Sequence, residues 1–162
     1  DSVASRGLGD VYKRQNQNKI EKYFEEFKGN SKAILGEAFK FGVDPDKLAA
    51  LVVRGEKTLT CSLKILYEYE DEELPSLHKD SYDVILNGRD EPVCIIKTKK
   101  IYEIKFSEAD ESIAIKEGEG DKTLAYWKKS HRDFFENELK KFGKTFEEDM
   151  LIVVEEFECV YV

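Results

Sequence analysis

Two short segments of this sequence combine the side chains that acid–base and nucleophilic chemistry use. The first is residues 55–60 (GEKTLT), and the second, about sixty residues later, is residues 117–121 (EGEGD). Together they supply an amine, two hydroxyls and several carboxylates. The sequence contains no nucleophile elbow, Walker A lysine, zinc-protease helix or dinucleotide glycine fingerprint. These two segments are therefore the best candidates for a functional site.

Metal ligands and cysteine pairs are scarce. His78 and His131 are the two histidines, and Cys61, Cys94 and Cys159 are far apart and outside any Cys-x-x-Cys pair. An odd number of separated cysteines favours reduced, mostly buried thiols, and two histidines give no usual zinc ligand set. We expect a cytoplasmic protein with no metal and no cofactor.

Charge and composition narrow the classes of partner. The chain of 162 residues is 41% hydrophobic and 12% aromatic, and its 34 acidic and 26 basic residues give a net charge of −8. These values are typical of a soluble globular domain, and no apolar run approaches the roughly 20 residues of a membrane span. A net charge of −8 argues against a large, sequence-independent grip on RNA. We expect no membrane partner.

Apolar spacing predicts a helical N-terminal half. Helices are predicted from Asn18 to Gly29, over residues 31–41, from Asp44 to Gly55, and from Leu63. Residues 1–15 show no apolar period and look like translated adaptor remnants. We therefore expect residues 1–15 to be a non-native or disordered leader and residues 16–162 to form a single domain.

The C-terminal half changes to a strand pattern. Residues 82–86 and 93–104 are rich in β-branched and aromatic residues and flank an Asn-Gly turn, which predicts an antiparallel pair. Residues 106–116 are predicted helical, Asp121 is a candidate cap for a last helix, and residues 151–161 are predicted to form a closing strand. The fold class is α+β, with helices joined to a small, mostly antiparallel sheet or barrel.

The order of several motifs identifies a family. Gly-x-Lys-Thr-x-Thr follows a short helix; Leu74-Pro75, a hairpin and the segment 118–121 come next, and Trp127, His131 and Phe134-Phe135 end the series. This set, from about Leu48 onward, resembles the ASCH family of the PUA-like superfamily. The resemblance implies a PUA-like β-barrel with packed helices and a cleft that faces RNA or nucleosides. It also implies the activity of bacterial N4-acetylcytidine amidohydrolases, which remove acyl groups from cytidine, although other relatives are proposed RNA-binding proteins or ribonucleases.

The same resemblance assigns site residues. It places the catalytic trio of the acetylcytidine enzymes at Lys57, Thr60 and Glu117, with Glu119 an alternative to Glu117 as the acid. Four further residues are expected to bind the substrate: Thr58, Glu119, Trp127 and His131.

Two arrangements of the trio are chemically consistent. In the first, burial lowers the pKa of Lys57 so that it deprotonates Thr60, and Glu117 protonates the departing amine. In the second, Lys57 stays charged and stabilises the oxyanion, while Glu117 activates Thr60 or water. Either one requires a turn after Gly55, because residues three apart face opposite sides of a strand.

Structural interpretations compete with these roles. Thr58 and Thr60 alternate as strand residues do, and Trp127 and His131 are four apart, as in a packed helix pair. The basic cluster at residues 97–100 is typical of a solvated strand edge. The net charge favours a small acylated cytidine nucleoside over RNA as the partner. RNA remains the alternative because of the basic cluster.

Overall fold

A computed structural model of the chain describes residues 3–162, with side chains from residue 16 onward. Helix α1 (Val3–Lys28) ends where the sequence predicts and begins earlier than Asn18. The expectation that residues 1–15 are a non-native or disordered leader stays a prediction. None of the described helices is long and apolar enough to cross a membrane.

Four helices and five strands follow α1, together with a 3-10 turn at Phe106–Glu108. In chain order they are β1 (Ile34–Phe39), α2 (Pro45–Val53), β2 (Leu59–Leu63), α3 (Lys64–Tyr69), β3 (Ser81–Leu86), β4 (Pro92–Lys105), α4 (Glu111–Glu117), α5 (Leu124–Lys140) and β5 (Leu151–Tyr161).

The strands form one mixed sheet in the order β1-β3-β4-β5-β2. Strand β1 pairs parallel with β3, and the other neighbours pair antiparallel. The predicted antiparallel pair and closing strand are therefore confirmed, within an α+β fold. Strands β1 and β2 are the two edges of the sheet, and no described pairing joins them into the expected closed barrel.

The predicted helix over residues 31–41 is wrong, because this segment contains strand β1. Gly36 lies against the side chains of Asp83 and Ser81, and the Glu37 amide donates a hydrogen bond of 2.8 Å to Asp83 Oδ1. These contacts come from a strand more than forty residues away. Tertiary pairing thus overrides a local apolar pattern that is ambiguous between helix and strand.

Helix caps explain two other boundaries. Asp44 caps α2 by accepting from the Lys47 amide at 3.3 Å, with Pro45 in the first turn, as predicted. The cap of α5 is Thr123, whose hydroxyl accepts from the Tyr126 amide at 3.1 Å. The prediction that Asp121 caps this helix is wrong, since its carboxylate instead accepts from the Thr123 amide and hydroxyl at 2.9 and 2.6 Å.

Two hydrophobic clusters position the site. In the larger one, α4 and α5 pack on β2 and β5 through Cys61, Ile113, Trp127, Phe135 and Val154. The second joins α2 to the sheet and includes Phe39, Phe41 and Phe157. The two candidate segments meet between these clusters, through residues 55–57 and 117–119.

Candidate active site

The turn after α2 places Lys57 at the entrance to β2. Gly55 has φ +77°, a left-handed conformation that glycine adopts without strain. The amides of Glu56 and Lys57 both donate to the Leu51 carbonyl, at 2.9 and 3.1 Å. Lys57 therefore precedes the strand rather than lying within it, so the turn that cooperation with Thr60 requires is present.

The Lys57 ammonium group is fully buried and uses all of its hydrogen-bond donors. It donates to the Leu59 carbonyl at 3.0 Å, to Glu117 Oε1 at 2.6 Å and to Glu119 Oε2 at 3.3 Å. A lysine ammonium has three N–H groups. The Phe41 ring covers a further side, with its centroid 5.1 Å from Nζ.

Glu117 lies at the centre of the cluster. It is the last residue of α4, and its other oxygen, Oε2, faces His131 Nε2 at 2.6 Å and accepts from Trp127 Nε1 at 3.2 Å. Gly118 follows with φ +75°, and a Cβ there would collide with the Glu56 carbonyl. Glycine at this position lets the helix end pack directly on the lysine turn.

These contacts decide the charge state of the pair. Burial alone lowers the pKa of Lys57, but the carboxylates of Glu117 and Glu119 outweigh it and hold that pKa above its ordinary value. Burial raises the pKa of Glu117, and Lys57 with His131 reverses this and lowers it to about 2. At neutral pH the site therefore holds a lysine ammonium against a carboxylate.

Trp127 and His131 form a stacked pair on α5, as the packing interpretation expects. Their rings lie 4.3 Å apart at 19°, and Trp127 also stacks on Phe106 at 5.3 Å. Both nevertheless direct a ring nitrogen at Glu117. The pair belongs to the site through this carboxylate, and its stacking surfaces are occupied by protein.

Thr60 is buried in β2 without a hydrogen-bond partner. It is 2% exposed and lies opposite Glu155 of β5, and its hydroxyl has no partner among the described residues. The structure thus joins Lys57 to Glu117 directly but not Thr60 to either. A buried, unpartnered hydroxyl is uncommon and is consistent with a group reserved for a ligand or water.

Thr58 serves the scaffold through its backbone. Its amide donates to the Lys116 carbonyl at 2.8 Å, and its carbonyl accepts from the Phe157 amide at 2.9 Å. The segment therefore ties α4 to β5 beside the site. Among the described residues, the Thr58 side chain makes no hydrogen bond to the Lys57 cluster, although it lines a cavity together with Lys57.

Glu119 is the partly exposed member of the cluster. Its side chain is 24% exposed, against 1% for Glu117. The adjoining cavity has a volume of about 30 Å³ and is lined by Val43, Leu48, Glu119, Ser130, His131 and Phe134. That space suits about one water molecule, so a nucleoside enters here only if the segment carrying Glu119 moves.

Larger cavities lie around the cluster, and one of about 440 Å³ is lined by Lys57 and Thr58 together with the end of β5. A polar cleft of about 230 Å³ includes Glu155, the cross-strand partner of Thr60. Another cavity, about 720 Å³, is apolar and lies along α3, and none of its described lining residues belongs to the cluster. Chemistry rather than size therefore locates the candidate site.

A metal ion also has candidate ligands here. One ligand atom from each of Glu117, Glu119 and His131 lies within 4.8 Å of the other two. The Lys57 ammonium already contacts both carboxylates and supplies the positive charge between them.

Sequence reasoning missed Phe41. The sequence predicts this residue at the end of a helix, whereas it lies just beyond β1 with its ring over Lys57. No local pattern could reveal this contact, since Phe41 is brought to Lys57 by the pairing of β1 with β3.

Comparison with known proteins identifies the family and supports the fold. Residues 37–161 match the ASCH domain family model. A crystal structure of an ASCH domain from Lactobacillus crispatus is 33% identical, with a TM-score of 0.78, covering 92% of this chain and 96% of that one. A structure of a DUF984 protein from Enterococcus faecalis is 34% identical, with a TM-score of 0.79 and 90% coverage of both chains. A search of curated proteins gave no match.

Proposed function

This chain belongs to the ASCH domain family, and we propose that it is an amidohydrolase that removes the acyl group from N4-acylcytidine nucleosides. The observation that carries the proposal is the buried Lys57–Glu117–Glu119 cluster, taken together with the unpartnered buried hydroxyl of Thr60 on the strand that follows Lys57. Amide hydrolysis needs a nucleophile, a proton carrier and a positive charge at the developing oxyanion. The cluster and Thr60 together offer one candidate for each role.

The contacts favour a charged Lys57 over a lysine base. A base needs a free lone pair, but the ammonium donates to three acceptors, and two carboxylates hold its pKa above the ordinary value. Lys57 is therefore proposed to stabilise the oxyanion. Of the two arrangements consistent with the sequence, this is the second.

Glu119 is proposed as the proton carrier. Both oxygens of Glu117 are engaged by donors, whereas Glu119 makes the longest of the three contacts with Lys57 and is partly exposed. The substrate's carbonyl oxygen would replace Glu119 on the Lys57 ammonium. Glu119 would then be released beside the scissile bond, where a carboxylate can accept a proton.

The proposed reaction is balanced with water as the co-substrate. Thr60 Oγ1 bonds to the acyl carbon while its proton passes to Glu119. Glu119 returns that proton to the cytidine N4 as the C–N bond breaks, which releases cytidine. Water then cleaves the Thr60 ester, giving the carboxylic acid and the free hydroxyl. Attack requires Oγ1 within about 3 to 3.5 Å of the acyl carbon.

The basic cluster offers little to RNA. Lys97 donates to the carbonyls of His78, Lys79 and Ser81 at 2.7 to 2.8 Å. Lys99 pairs with Glu158 at 3.0 Å. With these lysines engaged and a net charge of −8, a neutral nucleoside is the better ligand.

The test is incubation of purified protein with N4-acetylcytidine and longer-chain acylcytidines, with cytidine measured by chromatography. Thr60→Ala and Glu119→Gln are each expected to lose activity 100-fold to 10,000-fold. Lys57→Arg keeps the charge and removes any base, so measurable activity in this variant supports oxyanion stabilisation.

Matched controls come from the same elements. Ser62→Ala changes a hydroxyl two residues along the same strand face, and Lys64→Met removes an exposed lysine; both should keep wild-type turnover. Absence of hydrolysis with every acylcytidine, together with tight and steeply salt-dependent RNA binding, would replace the proposal with an RNA-binding role.

A further inference from the structure

We propose that Phe41 is a positioning residue for Lys57, with its ring fixing where the ammonium group lies. The effect on turnover rests on the proposed function, but the effect on the lysine itself does not. Phe41 contributes no polar atom, so it acts entirely through the group that it covers.

The geometry of the ammonium group carries this inference. Its three N–H groups point to Leu59, Glu117 and Glu119, and the Phe41 centroid is 5.1 Å from Nζ. A cation within about 6 Å of an aromatic face is attracted by the ring quadrupole, and more strongly where water is excluded. Lys57 is 1% exposed and Phe41 0% exposed, so this attraction operates without water.

The ring itself is held in place. Phe39 packs edge-on at 5.4 Å between ring centroids, and Phe157 stacks at 6.3 Å. These neighbours come from β1 and β5, so two strands of the sheet determine the position of the ring. The same sheet carries Thr60 on β2, which keeps the lysine and the proposed nucleophile in one rigid frame.

A positioning role matters most when Glu119 leaves. While the substrate carbonyl replaces Glu119, the ammonium keeps two polar contacts and the ring. Without the ring, the long lysine chain could follow Glu119 outward and lose its alignment with the acyl group. The ring is therefore proposed to keep Lys57 in place while Glu119 moves away.

Charged and titratable groups face Lys57 from several elements. They are Glu117 from α4, Glu119 from the following loop, His131 of α5 through Glu117, and Cys61 of β2. All of them remain when Phe41 is changed, so a change in lysine behaviour reports on the ring.

The primary test measures proton exchange of the Lys57 ammonium with water by NMR of 15N-lysine-labelled protein at near-neutral pH. Phe41→Leu should speed exchange about tenfold, since the ring interaction is lost and the ammonium becomes more mobile. Ile85→Val trims a fully buried side chain of the same cluster on β3 and should change exchange less than threefold. Equal acceleration in both variants would show general loosening of the core and overturn the proposal.

A second measurement avoids disruption of packing. Monofluoro- and difluorophenylalanine at position 41 keep the ring's shape and weaken its negative face in steps. Exchange at Lys57 should accelerate in the same order, and no dependence on fluorination would refute the role of the ring face.

Turnover gives a separate readout. Phe41→Leu should lower kcat for acetylcytidine about tenfold with KM within twofold, because the ammonium acts on the oxyanion rather than on the bound nucleoside. Unchanged kcat alongside accelerated exchange would refute a positioning role in catalysis. If the wild-type protein does not hydrolyse acylcytidines, the exchange measurements still decide whether the ring fixes Lys57, and the proposed function fails separately.

Discussion

Two lysines of this protein are held in similar ways but surrounded by different chemistry. Lys57 and Lys97 each donate to three oxygens and each face an aromatic ring, Phe41 at 5.1 Å and Tyr82 at 4.7 Å. For Lys97 all three acceptors are backbone carbonyls of residues 78–81. For Lys57 two of them are carboxylates, and the whole group is buried.

The type of acceptor around the ammonium group distinguishes a structural lysine from a candidate catalytic one. Carbonyl acceptors satisfy the ammonium and hold a loop against β4, without adding a second ionisable group. Carboxylate acceptors in the interior couple two charges, and they make each dependent on the other because neither is solvated by water. Proton transfer requires the second kind of arrangement.

Removal of Lys57 should lower the stability of the protein more than any other change considered for these two lysines. Lys57→Met leaves Glu117 buried without its cation, and the free energy of unfolding should fall by about 3–5 kcal/mol in urea denaturation. Adding Glu117→Gln should recover part of this loss, since the uncompensated charge is gone. A Lys57→Met protein as stable as Lys64→Met, whose lysine is exposed, would contradict the buried pair.

The pH dependence of stability should be the next largest effect. The pKa of Glu117 is about 2 in the folded protein and 4.5 as a free group, so its contribution is present above pH 4.5 and disappears as pH falls toward 2. The difference amounts to on the order of 3 kcal/mol. The pKa of Lys57 is raised above 10.5, so its contribution is full below pH 10.5 and is lost at more alkaline pH.

Glu117→Gln is the variant that isolates this effect. Its unfolding free energy, measured from pH 2 to 5, should vary less steeply than that of the wild type. Parallel curves for the two proteins would mean that Glu117 is not the group responsible.

Gly118→Ala tests the backbone that joins the two segments of the site. A left-handed backbone costs an alanine about 1–2 kcal/mol, and the added Cβ would also push on the Glu56 carbonyl. We expect lower stability and reduced turnover together, measured by thermal unfolding and acylcytidine hydrolysis. Gly29→Ala, which has φ +52° and open space around it, is the control and should cost stability alone.

Lys97→Met should have the smallest effect on stability and turnover. Water can replace the lysine at these half-buried carbonyls, so we expect a loss of about 1 kcal/mol and faster amide exchange around residues 78–81. Turnover should stay within twofold of wild type. A loss as large as that of Lys57→Met would mean that the two lysines do equivalent work.

Several features could be predicted from the sequence because they depend on neighbours along the chain. Asp44 and Pro45 start α2, and Asn87-Gly88 lies in the turn between β3 and β4, as local rules indicate. An apolar run followed by alternating residues forms β5. The ordered motifs identified the ASCH family. Of the expected trio, Lys57 and Glu117 are hydrogen-bonded to each other, whereas the Thr60 hydroxyl is bonded to neither. Strand β1 was missed because its partner, β3, lies far along the chain.

The sequence by itself determined which ionisable groups are available and which short elements carry them. Tertiary structure decided their state. Whether Lys57 is a base or a fixed charge depends on burial and on two carboxylates about sixty residues away, and the pKa responds to such through-space contacts. The placement of Phe41 over that charge, and of Trp127 and His131 on Glu117, likewise exists only once the sheet and α5 have packed.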